Sequence, residues 1–389
     1  MASIDDRWHV TLDGKRVRSE RYGKSKQWRA RYYDVSGKQV VRSFARKVDA
    51  QRWLDEVTAS VVTGQYVAPN AGKVLFKQYA EQWRKVQMHR PTTQAHTETM
   101  LRRHVYPFLG DRPLGGILPS EVQGWVKRLS AADAERAALS PSTVAVVHGI
   151  VSGIFRAAVR DRRIIGNPCE GTRLPKVAVK RVQPPTTEQV RQLEASIAPR
   201  WRALITLSAG TGMRHGECLG LTVDRIDFLR RHLDVDRQLV TVPGREPFLA
   251  EPKTPASVRR IPLPQVVVDA LAEHLRDFPS SEYVFVDAEG RPMRRTAFSA
   301  RVWRPAIKAA GLPTSFTFHH LRHYYASLLI RHGESVKTVQ ARLGHASAAE
   351  TLDTYSHLWP DAEDRTRAAI DAVLGGGGVE DRSRTTGVG

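Results

Sequence analysis

The chain has 389 residues, of which 60 are Lys or Arg and 40 are Asp or Glu, so its net charge is +20 and its pI is near 10.3. Hydrophobic residues make up 41% and charged residues 26%, a globular composition with room for about two or three domains, not a disordered chain. The two cysteines, Cys169 and Cys218, lack C-x-x-C spacing, which excludes a disulfide scaffold and a thiol-rich zinc site and points to a reducing compartment. No apolar run approaches the roughly 18 residues of a membrane helix, and no signal-peptide pattern opens the sequence. So basic a chain calls for a polyanionic partner, either nucleic acid or an acidic membrane surface.

The basic excess is strong in residues 1–48, which read as short strands. Gln27 to Tyr33 alternates aromatic and basic residues, Ser36-Gly37-Lys38 supplies a turn, and Gln39 to Phe44 returns. A helical pattern follows from Asp49 to Val62. A basic, aromatic face on this sheet suits a DNA groove, with Arg29, Arg31, Lys38 and Arg42 as candidate contacts. A solvated charged sheet fits the same pattern. Gly64 to Gly72 reads as a linker.

Residues 73–175 read as all-helical. Phe76, Tyr79 and Trp83 mark one apolar face, and Thr92 to Phe108 forms a second helix ended by Gly110. Ser120 and Gln123 predict a capping box for a third helix through Leu129. Ser140-Pro141 opens a fourth, with Val144, Val147, Val151, Ile154, Phe155 and Ala158 at helical spacing. Lys176 to Pro185 is a second linker, and Thr186 with Gln189 caps the next helix. Beyond it helices and strands mix. Strands are expected at Leu233–Val242, Val258–Leu263 and Tyr283–Val286, and helices at Thr317–Arg331 and Ser335–Leu343. The Gly375–Gly378 run opens a polar tail, residues 375–389, with the composition of a flexible segment.

The chemistry-bearing residues lie in this last block. Thr211-Gly212-Met213-Arg214-His215-Gly216-Glu217 breaks one helix and opens the next stretch at Arg214. Its Gly-x-Gly lacks the Gly-Lys-Ser/Thr of a phosphate loop. His319 and His323 are spaced like the ligands of zinc proteases, but His320 stands where those sites need Glu, so no metal is expected. Downstream come Leu343-Gly344-His345 and Tyr355. Two arginines, a lysine candidate at Lys253, several histidines and a tyrosine, without clustered carboxylates for magnesium, argue against two-metal nuclease chemistry. They favour phosphoryl transfer in which guanidinium groups neutralise the charge on a pentacoordinate phosphorus. A tyrosine suits as nucleophile, because its aryl phosphodiester keeps the energy of the broken bond. Singly, each residue also has a plainer reading. Arg214 fits a helix cap, Lys253 a solvated loop, His345 a turn and Tyr355 a core position. Tyr324 and Tyr325 are rival nucleophiles that look like packing residues.

In order, Arg214, Lys253, His319-x-x-Arg322, His345 and Tyr355 resemble the active site of the tyrosine recombinases, the phage-type integrases. The motifs Thr-Gly-Met-Arg-x-Gly-Glu, His-x-Leu-Arg-His, Leu-Gly-His and Thr-Leu-Asp-Thr-Tyr-Ser-His carry that resemblance. It departs at His320, where relatives commonly carry Asp. The resemblance implies a multidomain α+β chain: a small N-terminal sheet-and-helix arm-binding module (1–65), an all-helical core-binding domain (73–175), and a mainly helical catalytic domain with a small antiparallel sheet (183–374).

It also implies roles. Tyr355 attacks a scissile phosphate to give a 3′-phosphotyrosyl link, Arg214 and Arg322 clamp the non-bridging oxygens, and Lys253 protonates the leaving 5′-oxygen. His319 assists proton transfer from Tyr355, His345 hydrogen-bonds the phosphate, and Glu217 and His323 support the arginines. The implied function is site-specific integration of a phage or mobile element, with neither metal, cofactor nor ATP. The expected partners are double-stranded attachment sites, a homotetramer on DNA, a DNA-bending accessory protein and an excisionase, in the bacterial cytoplasm, nucleoid-associated and away from membrane. A type IB topoisomerase and a non-catalytic DNA-binding scaffold are the alternatives. The basic N-terminal module weighs against the first and the filled active-site positions against the second.

Overall fold

The computed structural model describes residues 2–34, 37–63, 66–132, 137–178, 181–359 and 363–374. Ser36 of the expected turn, Gly64 of the first linker, residues 179–180 of the second and the 375–389 tail lie outside the described residues. The chain divides into two compact units, residues 1–178 and 179–389. The architecture is multidomain and mainly helical, with small antiparallel sheets.

The first unit opens with a three-stranded antiparallel sheet, in which Trp28–Tyr33 lies between Ser3–Asp6 and Gln39–Phe44. A separate hairpin pairs His9–Leu12 with Lys15–Arg18. Its Asp13-Gly14 turn has both residues at positive φ (49° and 74°), the left-handed pair that a two-residue hairpin turn requires. Ala30 and Tyr32 point from the sheet into a small core with Ala50 and Leu54 of helix Lys47–Val62, joined by Tyr66.

The alternation of a strand therefore sends Arg29 and Arg31 to the opposite, open face. There both reach Asp5, at 2.7 Å and 3.3 Å. Arg42 does not share that face, contrary to the single basic surface expected from the sequence. Its register partner is Ala30, and its guanidinium lies 5.4 Å from the Phe44 ring centroid, on the helix side. Lys38 is exposed before the last strand, and its backbone N–H donates to Asp34.

A second core in this unit is helical. Phe76, Leu101, Val105, Val122, Trp125, Val151, Ile154 and Phe155 come from helices Phe76–Val86 and Pro119–Ser130, a π-helical turn Leu101–Val105, and helix Pro141–Arg160. The expected Ser120–Gln123 cap is displaced by two residues. Pro119 takes the first helical position, where it has no N–H to satisfy, and the Glu121 carboxylate accepts from the Leu118 N–H at 2.9 Å. Gln123 instead bonds the Arg173 backbone. Helix Pro141–Arg160 corrects another expectation, being long and apolar enough to cross a membrane by length and composition alone. Its apolar stripe is packed into the helical core.

In the second unit, helix Arg202–Thr211 packs against helices Gln265–Asp277 and His319–Arg331. A three-stranded antiparallel sheet places His232–Val235 between Ile226–Asp227 and Arg259–Pro262, and Gln238–Val240 pairs with Phe248–Ala250. The expected strand Leu233–Val242 is thus two strands, parted where Asp236 pairs with Arg225 and Arg237. Tyr283–Val286 is not a strand; Tyr283 makes an isolated bridge to Thr222, and Val284 and Phe285 are buried in the core.

Helix Arg202–Thr211 ends at Gly212, in the left-handed conformation with φ 66°. A Cβ there would collide with the Tyr325 ring. Gly212→Ala is therefore expected to cost about 2 kcal/mol or more, from backbone strain and overpacking together. A denaturant melt of the variant against wild type checks this.

Candidate active site

The site is built around one buried carboxylate. Arg214 sits at the N-terminus of the short helix His215–Leu219, and Glu217 reaches back to accept from the Arg214 backbone N–H at 2.9 Å. The same carboxylate accepts from the Arg214 guanidinium at 3.0 Å and from Arg259 Nη2 at 2.9 Å. Glu217 is only 3% exposed. Burial by itself would raise its pKa; Arg259, with the bonds from Arg214, outweighs burial and holds the group below the ordinary glutamate range.

Both arginines also donate to backbone and turn atoms. Arg214 reaches Ser257 Oγ at 3.3 Å and the Gly344 carbonyl at 3.1 Å. Arg259 donates to the Arg342 and Ser257 carbonyls at 2.8 Å and 2.9 Å. One anion thereby ties together three loops that are distant in sequence. Lys253 lies exposed in one of them, between strand Phe248–Ala250 and the turn Pro255–Ser257.

Arg322 comes from helix His319–Arg331 and is buried. Its Nη1 donates to the Gly212 carbonyl at 2.7 Å, while its Nη2 is buried with no hydrogen-bond partner among the described residues. Burial, reinforced by the like charge of Arg214, pushes its pKa down to about 9. It remains a cation at neutral pH, held in place with a donor to spare.

Histidines and the tyrosine complete the cluster. Helix Ala348–Tyr355, capped by Ser347, delivers Tyr355 at its last position. The phenol is 1% exposed, and burial pushes its pKa up to about 12 against the pull of Arg322. Its hydroxyl meets Nδ1 of His323 at 2.8 Å. His345 is buried after Gly344, with Nδ1 2.8 Å from Thr351 Oγ1.

Desolvation first, and neighbouring cations and histidines second, push His323 and His345 down to about 3 and His319 to about 4. All three rings are therefore neutral at pH 7. His319 keeps an exposed side.

The structure thus gathers Arg214, Glu217, His319, Arg322, His323, His345 and Tyr355. It differs from the sequence reading in one relation: His323, expected to support the arginines, is the histidine at the tyrosine hydroxyl, while the His319 ring stands edge-on to His323 with centroids 4.7 Å apart. The rival tyrosines are packing residues. Tyr324 joins the main core and bonds Thr187 Oγ1, and Tyr325 packs beneath Gly212. Sequence reasoning missed Arg259, Ser257 and Thr351. The Arg259-Arg260 pair in a strand was the one available signal. Among the described residues no group of three or more His, Cys, Asp or Glu is placed to hold a metal ion.

Comparison with known proteins agrees with this arrangement. Residues 186–361 match the phage integrase family, and residues 76–174 match the phage integrase central domain. A prophage phiRv2 integrase of Mycobacterium tuberculosis is 29% identical over 94% of this chain and 98% of its own length. The ICEBs1 integrase of Bacillus subtilis is 24% identical over 73% of this chain and 79% of its own. In fold, the chain is similar to the Tn1549 transposon integrase solved with circular intermediate DNA (TM-score 0.64, 24% identity, 77% of this chain and 100% of that one). It is also similar to the lambda integrase tetramer bound to a Holliday junction (TM-score 0.55, 18% identity, 82% and 94%). On the two domain matches and the full-length likeness to a prophage integrase, the chain belongs to the phage integrase family, the tyrosine-type site-specific recombinases of phages and mobile elements.

Proposed function

We propose that the chain cuts and rejoins double-stranded DNA at attachment sites through a 3′-phosphotyrosyl intermediate formed by Tyr355. The observation that carries this reading is the buried Arg322, whose free Nη2 lies in the same cluster as Arg214 and the Tyr355 hydroxyl. Fixed, desolvated guanidinium groups stabilise a phosphorane without reorganising as charge develops. In this scheme Arg214 and Arg322 bind the non-bridging oxygens, His345 adds a hydrogen bond, and Lys253, from its exposed loop, protonates the 5′-oxygen. The 5′-hydroxyl of a partner strand then reverses the attack, so the cycle consumes no ATP.

Three modules would grip the DNA: residues 1–65 through the Arg29 and Arg31 face, 73–175, and 183–374. The structures of the transposon and lambda integrases, solved with DNA and in one case as a tetramer on a Holliday junction, support four protomers acting on two duplexes. The C-terminal helix Glu363–Leu374, with Ile370, Val373 and Leu374 exposed, would dock on a neighbouring protomer. A DNA-bending protein and an excisionase would set direction, and the work would take place on nucleoid DNA in the bacterial cytoplasm.

A suicide substrate tests the reading. DNA from the element's own junction, nicked near the cleavage point, is incubated in EDTA with wild type or Tyr355→Phe and run on a denaturing gel. A covalent adduct with wild type alone is expected. An adduct from both proteins would move the nucleophile elsewhere, and none from either, despite tight binding, would favour a scaffold.

Glu217→Ala is expected to lose about 3 kcal/mol or more, because it strands buried guanidinium charge, and to abolish adduct formation. Since the folded pKa of Glu217 is lowered, its contribution is full above the ordinary glutamate range and is lost as pH falls through the folded value. Acid titration of wild-type stability should therefore show a limb that Glu217→Gln flattens.

A further inference from the structure

The contact between Tyr355 and His323 assigns a proton path that differs from the one expected of His319. The Tyr355 hydroxyl lies 2.8 Å from Nδ1 of His323. The ring centroids are 5.6 Å apart and steeply inclined at 68°, so the contact is a hydrogen bond and not a stack. His319 makes no hydrogen bond to Tyr355 among the described residues, and its own ring is nearly perpendicular to that of His323.

We propose that His323 is the proton acceptor for the nucleophile. As the Tyr355 Oη–phosphorus bond forms, the Oη–H bond breaks and its proton passes to Nδ1. The phosphorus–5′-oxygen bond breaks, and that oxygen takes a proton from Lys253. Reversal of the attack returns both protons. This rests on the recombinase reading above and names a residue within it.

The surroundings suit that role. His323 is faced by His319, His320 and Arg322 from its own helix, by His345 from the turn after Gly344, and by Tyr355 from helix Ala348–Tyr355. Burial and this company hold it neutral, with a pKa pushed down to about 3. A neutral imidazole has one acceptor nitrogen, and the phenol, itself pushed up to about 12, is the donor. In the proposed scheme Nδ1 is the acceptor of this contact, which leaves the ring proton on Nε2. A base this weak does not ionise the resting tyrosine. The balance changes when a phosphodiester anion enters between Arg214 and Arg322, because its charge offsets a cation that depresses His323. The forming bond to phosphorus simultaneously acidifies Oη. Ionisation is thus coupled to having DNA in place.

The test compares wild type, His323→Asn, His323→Ala and His319→Gln on the nicked suicide substrate, by single-turnover rate across pH, with DNA affinity and melting measured alongside. Asn places an amide oxygen near the position of Nδ1, so it keeps an acceptor but cannot carry the proton away. Both His323 variants should fold and bind DNA while cleaving on the order of 10²-fold more slowly near neutral pH. That deficit should shrink as pH rises and the phenol ionises unaided, whereas any deficit of His319→Gln should not shrink in this way. Wild-type cleavage by His323→Asn, or a deficit equal at every pH, would overturn the assignment. If wild type itself gave no Tyr355-dependent adduct, the recombinase reading would fail and this assignment with it.

Discussion

The arrangement depends on one buried anion. Glu217 stands among Arg214, Arg259 and Arg322, and without a carboxylate there the protein would have to bury like charges close together with nothing to offset them. The negative charge is bonded on both oxygens. The two arginines it holds then pin the Ser257 turn and the Gly344 carbonyl. Lys253 sits just before that turn, and His345 follows that carbonyl. Loops that share no local pattern are in this way fixed to a common point.

The same positive field governs the protons. Burial first, and neighbouring cations and histidines second, keep His319, His323 and His345 neutral, while burial keeps Tyr355 protonated. On the proposed mechanism a site so biased would be inert alone and would respond to an incoming anion, a useful property in an enzyme whose misplaced cleavage would break a chromosome. Helix ends do the positioning. Tyr355 is the last residue of its helix, Arg214 precedes the first turn of another, and left-handed Gly212 and Gly344 end two more while offering their carbonyls to Arg322 and Arg214. Glycine is needed at both ends, because a side chain at either would meet packed neighbours.

Much of this was legible in the sequence. The ordered Arg, Lys, His-x-x-Arg, His and Tyr positions pointed to one cluster, of which the fold brings Arg214, His319, Arg322, His345 and Tyr355 together, and strong helical periodicity located the long helices. What was hidden is long-range. The break between Val235 and Gln238 comes with pairing of Asp236 to Arg225 and Arg237, which no strand pattern announces. Arg259 looks like half of a solvated Arg-Arg pair until the sheet turns it inward to Glu217, while Arg260 stays outside on Asp234. His319 and His323 share a helix face; which of them meets the tyrosine is decided by where helix Ala348–Tyr355 crosses, a tertiary fact. Residues 118–123 contain two competing capping frames, and the proline settles the matter for Leu118 and Glu121.

The role proposed for Arg322 and Arg214 is to meet phosphate charge. It is tested most directly by replacing the scissile phosphate with a neutral methylphosphonate and measuring cleavage by wild type and Arg322→Ala on both substrates. On the natural phosphate the variant should lose on the order of 10²-fold or more. On the methylphosphonate most of that loss should vanish, because there is less charge left to neutralise. An equal loss on both substrates would mean that Arg322 serves the fold and not the phosphate, and would contradict that role.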